Sequence, residues 1–278
     1  MKTCRKMIKK LFYYSSYLAF PVSTIKALIV ILLAKINGKE VVDEEITFSW
    51  DGQLFCGNPA SDVLIEKLYL RGFNEFVVTQ LFNKYLREGM TVVDAGAHMG
   101  WSTLLICKRI GKSGRVIAFE PAKKYRAMLV KNIELNNYKN IEILDSALFD
   151  VNKRMKLSYS RGMLVSPDDE AEGAEIVCQK LDSVSDEYKL SRIDLIKIDI
   201  EGSEMNCLLG MEEVISKFNP ILIIEVHPEY LDKYNFNPKN IITYLKSKSY
   251  KTRPFGIQES QINSTREIFH MLAIPYRL

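Results

Sequence analysis

From Thr91 onward, the chain alternates between short apolar runs and stretches with apolar residues at helical spacing. The apolar runs are TVVDAG, RVIAFE, IEILDSAL, IDLIKIDI, ILIIEV and EIFHMLAIP, and SEMNCLLGMEEVISKF is one of the helical stretches between them. Short apolar strands that alternate with amphipathic helices are typical of a mainly parallel sheet covered on both faces. The pattern therefore predicts an α/β fold, with RMKLSYS and AEIVCQKL as two further strands around a polar loop.

Residues 41–88 have a mixed pattern. ITFSWDGQLFCG predicts a hairpin, SDVLIEKLYLRG a short helix, and the apolar spacing within residues 73–86 a second helix. We therefore divide the chain into an N-terminal segment (1–40), a cap subdomain (41–88) and a main domain (89–278).

The N-terminal segment is basic at its start and apolar afterwards. Five basic residues lie in the first ten positions, and residues 11–34 are apolar or uncharged apart from Lys26. A membrane span needs roughly 20 apolar residues, but Pro21 and Lys26 interrupt this stretch. No A-x-A cleavage pattern follows it, which disfavours a removable signal peptide. We interpret residues 11–34 as a peripheral anchor or hairpin at the membrane interface, with a buried helix as the alternative.

Composition excludes several classes of protein. The chain has 278 residues, of which 47% are hydrophobic and 26% charged, as in ordinary globular proteins. The net charge is only +4 and is concentrated at the N-terminus, which argues against a nucleic-acid-binding surface. The five cysteines form no C-x-x-C pair, so neither a zinc site nor a disulfide framework is indicated. Free thiols fit a reducing compartment, and we expect a cytoplasmic protein.

The segment VVDAGAHMGW follows the first predicted strand and contains a glycine loop, residues 94–100. Ligands of parallel sheets bind beyond the carboxyl ends of the strands, where this loop lies. A dinucleotide fingerprint requires further glycines at the positions of His98 and Trp101, and the G-K-[ST] of a P-loop is also missing. The remaining pattern, D-x-G-x-x-x-G, places Asp94 where it would oppose a phosphate and favour a cationic amino-acid portion.

Glu120 ends the second predicted strand, twenty positions after Gly100. An acidic side chain at this place accepts hydrogen bonds from the two ribose hydroxyls of a nucleoside. A ribose bound by Glu120 and an amino acid bound by the Asp94 loop together describe S-adenosylmethionine. The alternative is an ordinary tight turn followed by a solvated glutamate.

With these residues identified, the chain resembles the FkbM-type S-adenosylmethionine-dependent methyltransferases. The matching segments are VVDAGAHMGWSTL, VIAFEP, IEILDSALFD, QKLDSV, IDLIKIDIEGSE and IIEVHPE, in the family's order. The resemblance implies a Rossmann-like class I methyltransferase fold, with a seven-stranded, mostly parallel sheet, helices on both faces and an antiparallel last strand. It also implies that the acceptor is a hydroxyl group of a sugar, a polyketide or another small metabolite.

The resemblance also implies roles for individual residues. The methionine portion would meet a loop that includes His98, where the family often has Asn, and the ribose would meet Glu120. The adenine would lie beside the end of the third strand, and Glu75 falls where the family often has an acidic residue near the cofactor. The implied cofactor-binding residues are Glu75, Asp94, Gly96, Ala97, His98, Gly100, Glu120, Asp145, Ser146 and Ala147.

Candidate catalytic residues lie at the ends of the fourth and fifth strands. Asp199 and Glu201 would face the reacting methyl group, and His227 is a candidate general base because an unperturbed histidine titrates near neutral pH. Glu225 would orient His227, and Lys197 would pair with Asp199 or Glu201. Alternatively, His227 is a structural residue of a turn, and its side chain hydrogen-bonds to its own backbone. A divalent metal bound at Asp199 and Glu201 stays open as an alternative, but no cluster in the sequence demands one, and we assign no metal ligand.

The sequence thus predicts an O-methyltransferase that modifies a hydroxyl on a sugar, a glycolipid or another small metabolite. Its cofactor is made in the cytoplasm, so we expect the domain to face that side of the membrane, with an acceptor that is either free or linked to a glycan or lipid. Two alternatives stay open: an NAD-dependent oxidoreductase on a similar sheet, and a non-catalytic, membrane-attached binding module.

Overall fold

The computed structural model describes residues 42–72, 74–158, 164–165, 173–262 and 264–276. The N-terminal segment 1–40 lies outside these residues, so its interpretation as an anchor stays a prediction. In the described ranges, no helix combines the length and the apolar character that a membrane crossing requires. Residue contacts separate the chain into two compact units, residues 1–80 with 134–136 and residues 81–133 with 137–278. The predicted domain boundaries near residues 40 and 88 stay predictions.

The helices and strands are numbered in chain order. The strands are β1 Ile46–Trp50, β2 Gln53–Gly57, β3 Thr91–Ala95, β4 Arg115–Phe119, β5 Ile141–Leu144, β6 Ser146–Leu148, β7 Lys153–Ser158, β8 Leu164–Val165, β9 Gly173–Gln179, β10 Leu195–Ile198, β11 Ile221–Val226, β12 Tyr250–Phe255 and β13 Phe269–Pro275. The helices are α1 Val63–Glu66, α2 Phe76–Tyr85, α3 Trp101–Ile110, α4 Lys123–Leu135, α5 Leu181–Glu187, α6 Glu204–Leu209, α7 Glu212–Phe218, α8 Pro228–Leu231 and α9 Pro238–Ser247.

The first unit contains the predicted hairpin and the predicted short helix. Strands β1 and β2 pair antiparallel around a turn at Asp51 and Gly52. Helix α1 begins after Asp62, whose carboxylate accepts the backbone N–H groups of Leu64 and Ile65 and so caps the helix. A π-helical turn, Lys67–Arg71, continues it and ends at Gly72.

The second unit is built on a seven-stranded sheet in the order β12-β13-β11-β10-β3-β4-β5. The neighbours from β11 through β5 run parallel, and β13 runs antiparallel to both β11 and β12. The central strands are buried throughout, which explains why they appear as continuous apolar runs rather than alternating ones. This arrangement confirms the predicted class I methyltransferase fold.

Two predicted elements are divided in the structure. The run IEILDSAL forms two strands, because the chain leaves the large sheet at Asp145 and β6 pairs with β9 in a separate four-stranded sheet. The helix predicted across residues 203–218 is broken into α6 and α7 at Gly210. A Cβ there would lie 1.9 Å from the Phe149 carbonyl oxygen, so two backbones touch at this point.

Candidate active site

The glycine loop joins β3 to α3 and packs against the end of β10. Gly96 has a φ of +82°, and a Cβ on it would lie 1.8 Å from the backbone oxygen of Asp199. Only glycine permits this approach, which brings the loop beside the end of the neighbouring strand. The backbone N–H groups of Gly96 and Ala97 both donate to the Phe119 carbonyl at 3.0 Å and fix the loop to β4 as well. Gly100, with a φ of +96°, leads into α3.

Asp94 is completely buried beneath this loop. Its Oδ2 accepts hydrogen bonds from the hydroxyls of Ser102, at 2.7 Å, and Thr103, at 2.6 Å, in the first turn of α3. Its Oδ1 lies 3.5 Å from the ammonium group of Lys197. In this arrangement Asp94 holds the start of α3 and the loop in place, and its role toward a ligand's ammonium group stays a prediction.

Glu120 is buried at the end of β4, with both carboxylate oxygens engaged by backbone. The N–H of His98 donates to Oε2 and the N–H of Ala122 donates to Oε1, each at 2.8 Å. Burial raises the pKa of Glu120 above its ordinary value, although these two hydrogen bonds oppose the shift. Glu120 therefore joins the glycine loop to the turn before α4.

The other predicted cofactor residues lie along the same edge of the sheet. His98 has a φ of 50°, and its ring lies over Tyr125 with the ring centroids 3.7 Å apart. At the start of β6, the Ser146 hydroxyl donates to the Gln179 side chain at 2.7 Å, and the next residue, Ala147, is buried. The roles of His98, Asp145, Ser146 and Ala147 toward an adenosyl group stay predictions.

Glu75 belongs to the other unit. It has a φ of 34°, and its Oε1 accepts a hydrogen bond from the side chain of Asn74 at 2.8 Å. Its role near a cofactor also stays a prediction.

Lys197 connects the glycine loop to the end of β10. Its ammonium group donates to the Gly96 carbonyl at 2.9 Å and lies 3.1 Å from Asp199 Oδ2. It also lies opposite Asp94 in the register of β10 and β3. The pairing of Lys197 with Asp199 follows the expectation from sequence. Burial opposes ionisation of Asp199, but the charges of Lys197 and His227 outweigh it and lower its pKa.

Asp199, Glu201 and His227 form a second group, here called the strand-end cluster. His227 Nε2 lies 4.0 Å from Asp199 Oδ1 and 3.5 Å from Glu201 Oε2. Glu201 has a φ of 51°, uncommon for a residue with a side chain, and Gly202 has a φ of +100°. A Cβ on Gly202 would lie 2.3 Å from Tyr230 Cβ, so this turn packs directly on α8. The sequence prediction that Asp199 and His227 share one edge of the sheet agrees with their positions.

His227 is held by a carboxylate that the sequence analysis did not select. Its Nδ1 lies 2.7 Å from Oε1 of Glu204, which is fully buried at the start of α6. Burial lowers the pKa of His227, but the hydrogen bond and charge of Glu204, with the charges of Asp199 and Glu201, raise it to about 9. The expectation of a near-neutral pKa was wrong, because His227 carries a proton at neutral pH in this arrangement.

Glu225 lies beside another histidine. In the register of β11 and β13 it is opposite His270, and its Oε2 is 3.7 Å from His270 Nε2. Burial lowers the pKa of His270 to about 4, although the charge of Asp199 opposes this shift. The hydrogen bond that orients His227 comes from Glu204, whereas Glu225 was expected to provide it.

Glu204 and His270 are the residues that sequence reasoning missed. Glu204 is the last residue of the motif IKIDIEGSE, so a signal was present, but nothing in the sequence showed that it faces His227. His270 is one of only three histidines in the chain. Its pairing with Glu225 depends on the antiparallel register of β13, which cannot be read from sequence.

The carboxylates along this edge are chemically suited to an adenosyl sulfonium cofactor. The carboxylates of Glu120, Asp199 and Glu201 would repel a phosphate, and they match hydroxyl donors and cationic groups. Gly96 is also unsuited to bind a phosphate, because its backbone N–H already donates a hydrogen bond to the Phe119 carbonyl.

Comparisons with known proteins point to one family. The family model described as "Methyltransferase FkbM domain" matches residues 94–252, more than half of the chain. Methyltransferase 1 of Beauveria bassiana is 25% identical over 195 residues, which cover 61% of this chain and 76% of that protein.

Two other similarities are more limited. The AMB antimetabolite synthetase AmbE of Pseudomonas aeruginosa is 26% identical over 203 residues, which cover 55% of this chain but only 9% of AmbE. The structure of methyltransferase FkbM from Methylobacillus flagellatus is 18% identical with a TM-score of 0.47, covering 75% of this chain and 52% of that one. Because the match to the family model includes both the glycine loop and the strand-end cluster, the chain belongs to the FkbM methyltransferase family, which confirms the prediction of a methyltransferase with S-adenosylmethionine as its cofactor.

Proposed function

We propose that this protein transfers the methyl group of S-adenosylmethionine to a hydroxyl group of a sugar, a glycolipid or another small metabolite. The observation that carries the proposal is the contact between the glycine loop and the strand that bears Asp199. A Cβ on Gly96 would lie 1.8 Å from the backbone oxygen of Asp199, so the predicted cofactor loop and the strand-end cluster are neighbours. A methyl donor and a polar acceptor site are needed side by side for methyl transfer.

At the donor end, Glu120 would bind the ribose hydroxyls and the glycine loop would bind the methionine portion. The bound cofactor supplies a methyl group that is already activated by a positively charged sulfur. Both oxygens of Glu120 accept one backbone N–H, and each carboxylate oxygen can accept a second hydrogen bond. The buried Asp94 would act through the loop that it holds.

At the acceptor end, the strand-end cluster would assist removal of the hydroxyl proton. Methyl transfer forms an oxygen–carbon bond and breaks a carbon–sulfur bond, whose electron pair stays on sulfur. An alcohol is a poor nucleophile until its proton is removed. His227 is already protonated at neutral pH, so the carboxylates of Asp199 and Glu201 are the groups that can accept a hydrogen bond from the acceptor.

The charges of the cluster favour a neutral acceptor. Glu201 is its most exposed member, with 47% of its side-chain surface accessible, and Asp199 is about half as exposed. Carboxylates at the entrance would repel an anionic acceptor and accept hydrogen bonds from a polyhydroxylated one. We further propose that residues 11–34 bring the enzyme to the cytoplasmic face of a membrane when the acceptor is lipid-linked. If the full chain stays in the soluble fraction at low salt with anionic vesicles present, this membrane proposal is wrong.

The experiment is a methyl-transfer assay with the full chain, labelled S-adenosylmethionine and a panel of monosaccharides, glycolipids and small polyols. Mass spectrometry of the products would locate an added O-methyl group. The control variant is Glu229→Gln, a surface carboxylate on α8 whose only ion pair among the described residues is with Arg266 at 3.9 Å. We expect turnover by the wild type and by this control, and little turnover by Asp199→Asn. Methylation at nitrogen or carbon would contradict the hydroxyl assignment.

Membership of a methyltransferase family argues against the NAD-dependent alternative. The non-catalytic alternative predicts cofactor binding without turnover on any acceptor, so the same assay tests it.

A further inference from the structure

We propose that the strand-end cluster binds one divalent cation, with Asp199, Glu201 and His227 as its protein ligands. This inference rests on the proposed function, and it adds His227 to the two carboxylates at which the sequence left a metal open. One ligand atom from each residue lies within 4.8 Å of the other two. Carboxylate oxygens with one imidazole nitrogen form a donor set that suits cations such as Mn²⁺ or Zn²⁺.

The spacing of these groups fits ligands around an ion better than direct hydrogen bonds. Charge-assisted N–H···O bonds are normally about 2.7–2.9 Å long, shorter than the 3.5 and 4.0 Å from His227 Nε2 to Glu201 and Asp199. Two ligands that are each about 2.1 Å from a metal ion, at ordinary coordination angles, are about 3.0–3.5 Å apart. Small side-chain rotations would therefore bring all three atoms into coordination distance.

The position of His227 is a second and independent indication. The side chain is only 3% exposed, yet its Nε2 is directed into the cluster rather than into the protein core. Its other nitrogen bonds the buried carboxylate of Glu204 at 2.7 Å. Metal-bound histidines usually donate their second ring N–H to a carboxylate, which fixes the tautomer that leaves the other nitrogen free for the ion. Glu204 is therefore placed as the positioning residue of such a ligand.

The electrostatics also favour a cation. Four carboxylates lie around the cluster, and the nearby positive charges among the described residues are Lys197 and, when protonated, His227 and His270. The carboxylates are those of Asp94, Asp199, Glu201 and Glu204. Lys197 lies toward Oδ2 of Asp199, whereas Oδ1 faces His227, so the two oxygens can serve different partners. A divalent cation would replace the Nε2 proton, which passes to solvent.

A cation in this position would act on the acceptor hydroxyl. Three protein ligands leave coordination positions open, and a hydroxyl bound to a divalent cation is a stronger acid than a free one. The O–H bond would break with transfer of the proton to water, and the oxygen would attack the methyl carbon as the carbon–sulfur bond breaks and its electron pair stays on sulfur. The acceptors that such a cation would bind best carry two neighbouring oxygens, as in a vicinal diol, because both oxygens can bind the same ion.

The test is a titration of the full chain with Mn²⁺ after treatment with a chelator and desalting, followed by electron paramagnetic resonance of the free ion. We expect one Mn²⁺ per wild-type chain, and binding that is weaker by at least about 10–100-fold, the effect of losing an outer partner, when a direct ligand is lost in Asp199→Asn or in Glu201→Gln. Glu229→Gln removes a carboxylate outside the cluster and should bind like the wild type. Glu201 is half exposed, so its variant keeps the test valid if Asp199→Asn does not fold.

Binding of S-adenosylhomocysteine to the same samples separates this inference from the proposed function. If S-adenosylhomocysteine binds but Mn²⁺ does not, the proposed cation site is wrong and the proposed methyltransferase function stands. If Mn²⁺ binds with equal affinity to the wild type and to both cluster variants, it binds elsewhere and the inference is also wrong. If S-adenosylhomocysteine fails to bind, the proposed function is wrong, whatever the result with Mn²⁺.

Discussion

The glycine loop and the strand-end cluster are neighbours, but their polar groups are held in opposite ways. Asp94 is fully buried and accepts two short hydrogen bonds from hydroxyls of α3, and Glu120 has a backbone N–H on each oxygen. In the cluster, His227 lies at 3.5 and 4.0 Å from two carboxylates, and Glu201 is half exposed at a positive φ.

This difference suggests separate roles for the two regions, cofactor binding for the glycine loop and reaction for the strand-end cluster. A loop whose carboxylates are held by short hydrogen bonds can present a binding surface without reorganisation. Charged groups that are close but not directly bonded, in a conformation that costs free energy, are typical of a place where a ligand or a reaction completes the arrangement. We therefore expect substitutions in the loop to affect folding and cofactor binding, and substitutions in the cluster to affect turnover.

Lys197→Met should have the largest effect, because Lys197 serves both regions. Removing its charge leaves the buried carboxylate of Asp94 and the partly exposed carboxylate of Asp199 without their shared partner. Loss of one member of a buried ion pair costs about 3–5 kcal/mol, and we expect that decrease in the free energy of unfolding in urea. The matched control is Lys248→Met, which removes a surface pair with Glu212 and should cost less than about 1 kcal/mol. Equal decreases in the free energy of unfolding of the two variants would contradict the role of Lys197 as the shared partner of Asp94 and Asp199.

Gly96→Ala tests the loop alone. Its Cβ would meet the Asp199 backbone oxygen at 1.8 Å, whereas a Cβ on Gly256 would meet nothing within 4 Å. Both glycines have a positive φ, +82° and +94°, so Gly256→Ala reproduces the backbone strain without the collision. We expect Gly96→Ala to be less stable than Gly256→Ala by about 1–3 kcal/mol and to bind S-adenosylhomocysteine poorly. Equal stability and equal affinity would contradict the close packing of the loop.

Glu204→Gln tests the cluster without touching the loop. The variant keeps the shape of the side chain but removes the charge that holds His227 Nδ1. We expect the rate of methyl transfer to fall about 10–100-fold, as for other residues that orient a functional histidine. The affinity for S-adenosylhomocysteine should stay unchanged, measured by calorimetry. A loss of affinity as large as the loss of rate would mean that Glu204 supports the fold rather than the cluster.

The smallest expected effect is the change in affinity for S-adenosylhomocysteine when Glu120 becomes protonated at lower pH. Burial raises the pKa of Glu120, and the ionised form is the better acceptor of ribose hydroxyls. The affinity for S-adenosylhomocysteine should therefore decrease as the pH falls from 7 through that raised pKa, at a higher pH than for an ordinary glutamate. Glu120→Gln should bind more weakly at pH 7 but change less over the same range. A wild-type affinity that does not vary with pH would contradict ionised Glu120 as the ribose ligand.

The sequence predicts those parts of the fold that depend on local pattern. The central strands are continuous apolar runs, and Gly96 and Gly100 occupy backbone conformations that favour glycine, so both were recognisable. Helix α3 begins at Trp101 and ends before Gly111, as its pattern predicts.

Other features depend on contacts between distant segments. Nothing local divides residues 141–148, because β6 leaves the large sheet in order to pair with β9. The break at Gly210 follows from its approach to the Phe149 backbone. Strand β12 was not recognised, because its sequence YKTRPF is polar and contains a proline.

The candidate site shows the same limit. The motif residues Asp94, Glu120, Asp199 and Glu201 were selectable from their places at strand ends. The partners that set their chemistry were not, because Glu204 reaches His227 from a helix and His270 reaches Glu225 across an antiparallel register. The raised pKa of His227 is a property of this surrounding charge and cannot be read from the residue itself.

Calorimetric titration of the full chain with S-adenosylhomocysteine, alongside NADH, tests the central claim most directly. The account predicts one bound S-adenosylhomocysteine per chain, no heat of binding with NADH, and an affinity about 10–100-fold weaker in Glu120→Ala, because hydrogen bonds to a charged group are lost. Absence of binding, or an affinity that Glu120→Ala leaves unchanged, would contradict the assignment of this loop and this carboxylate to the methyl donor.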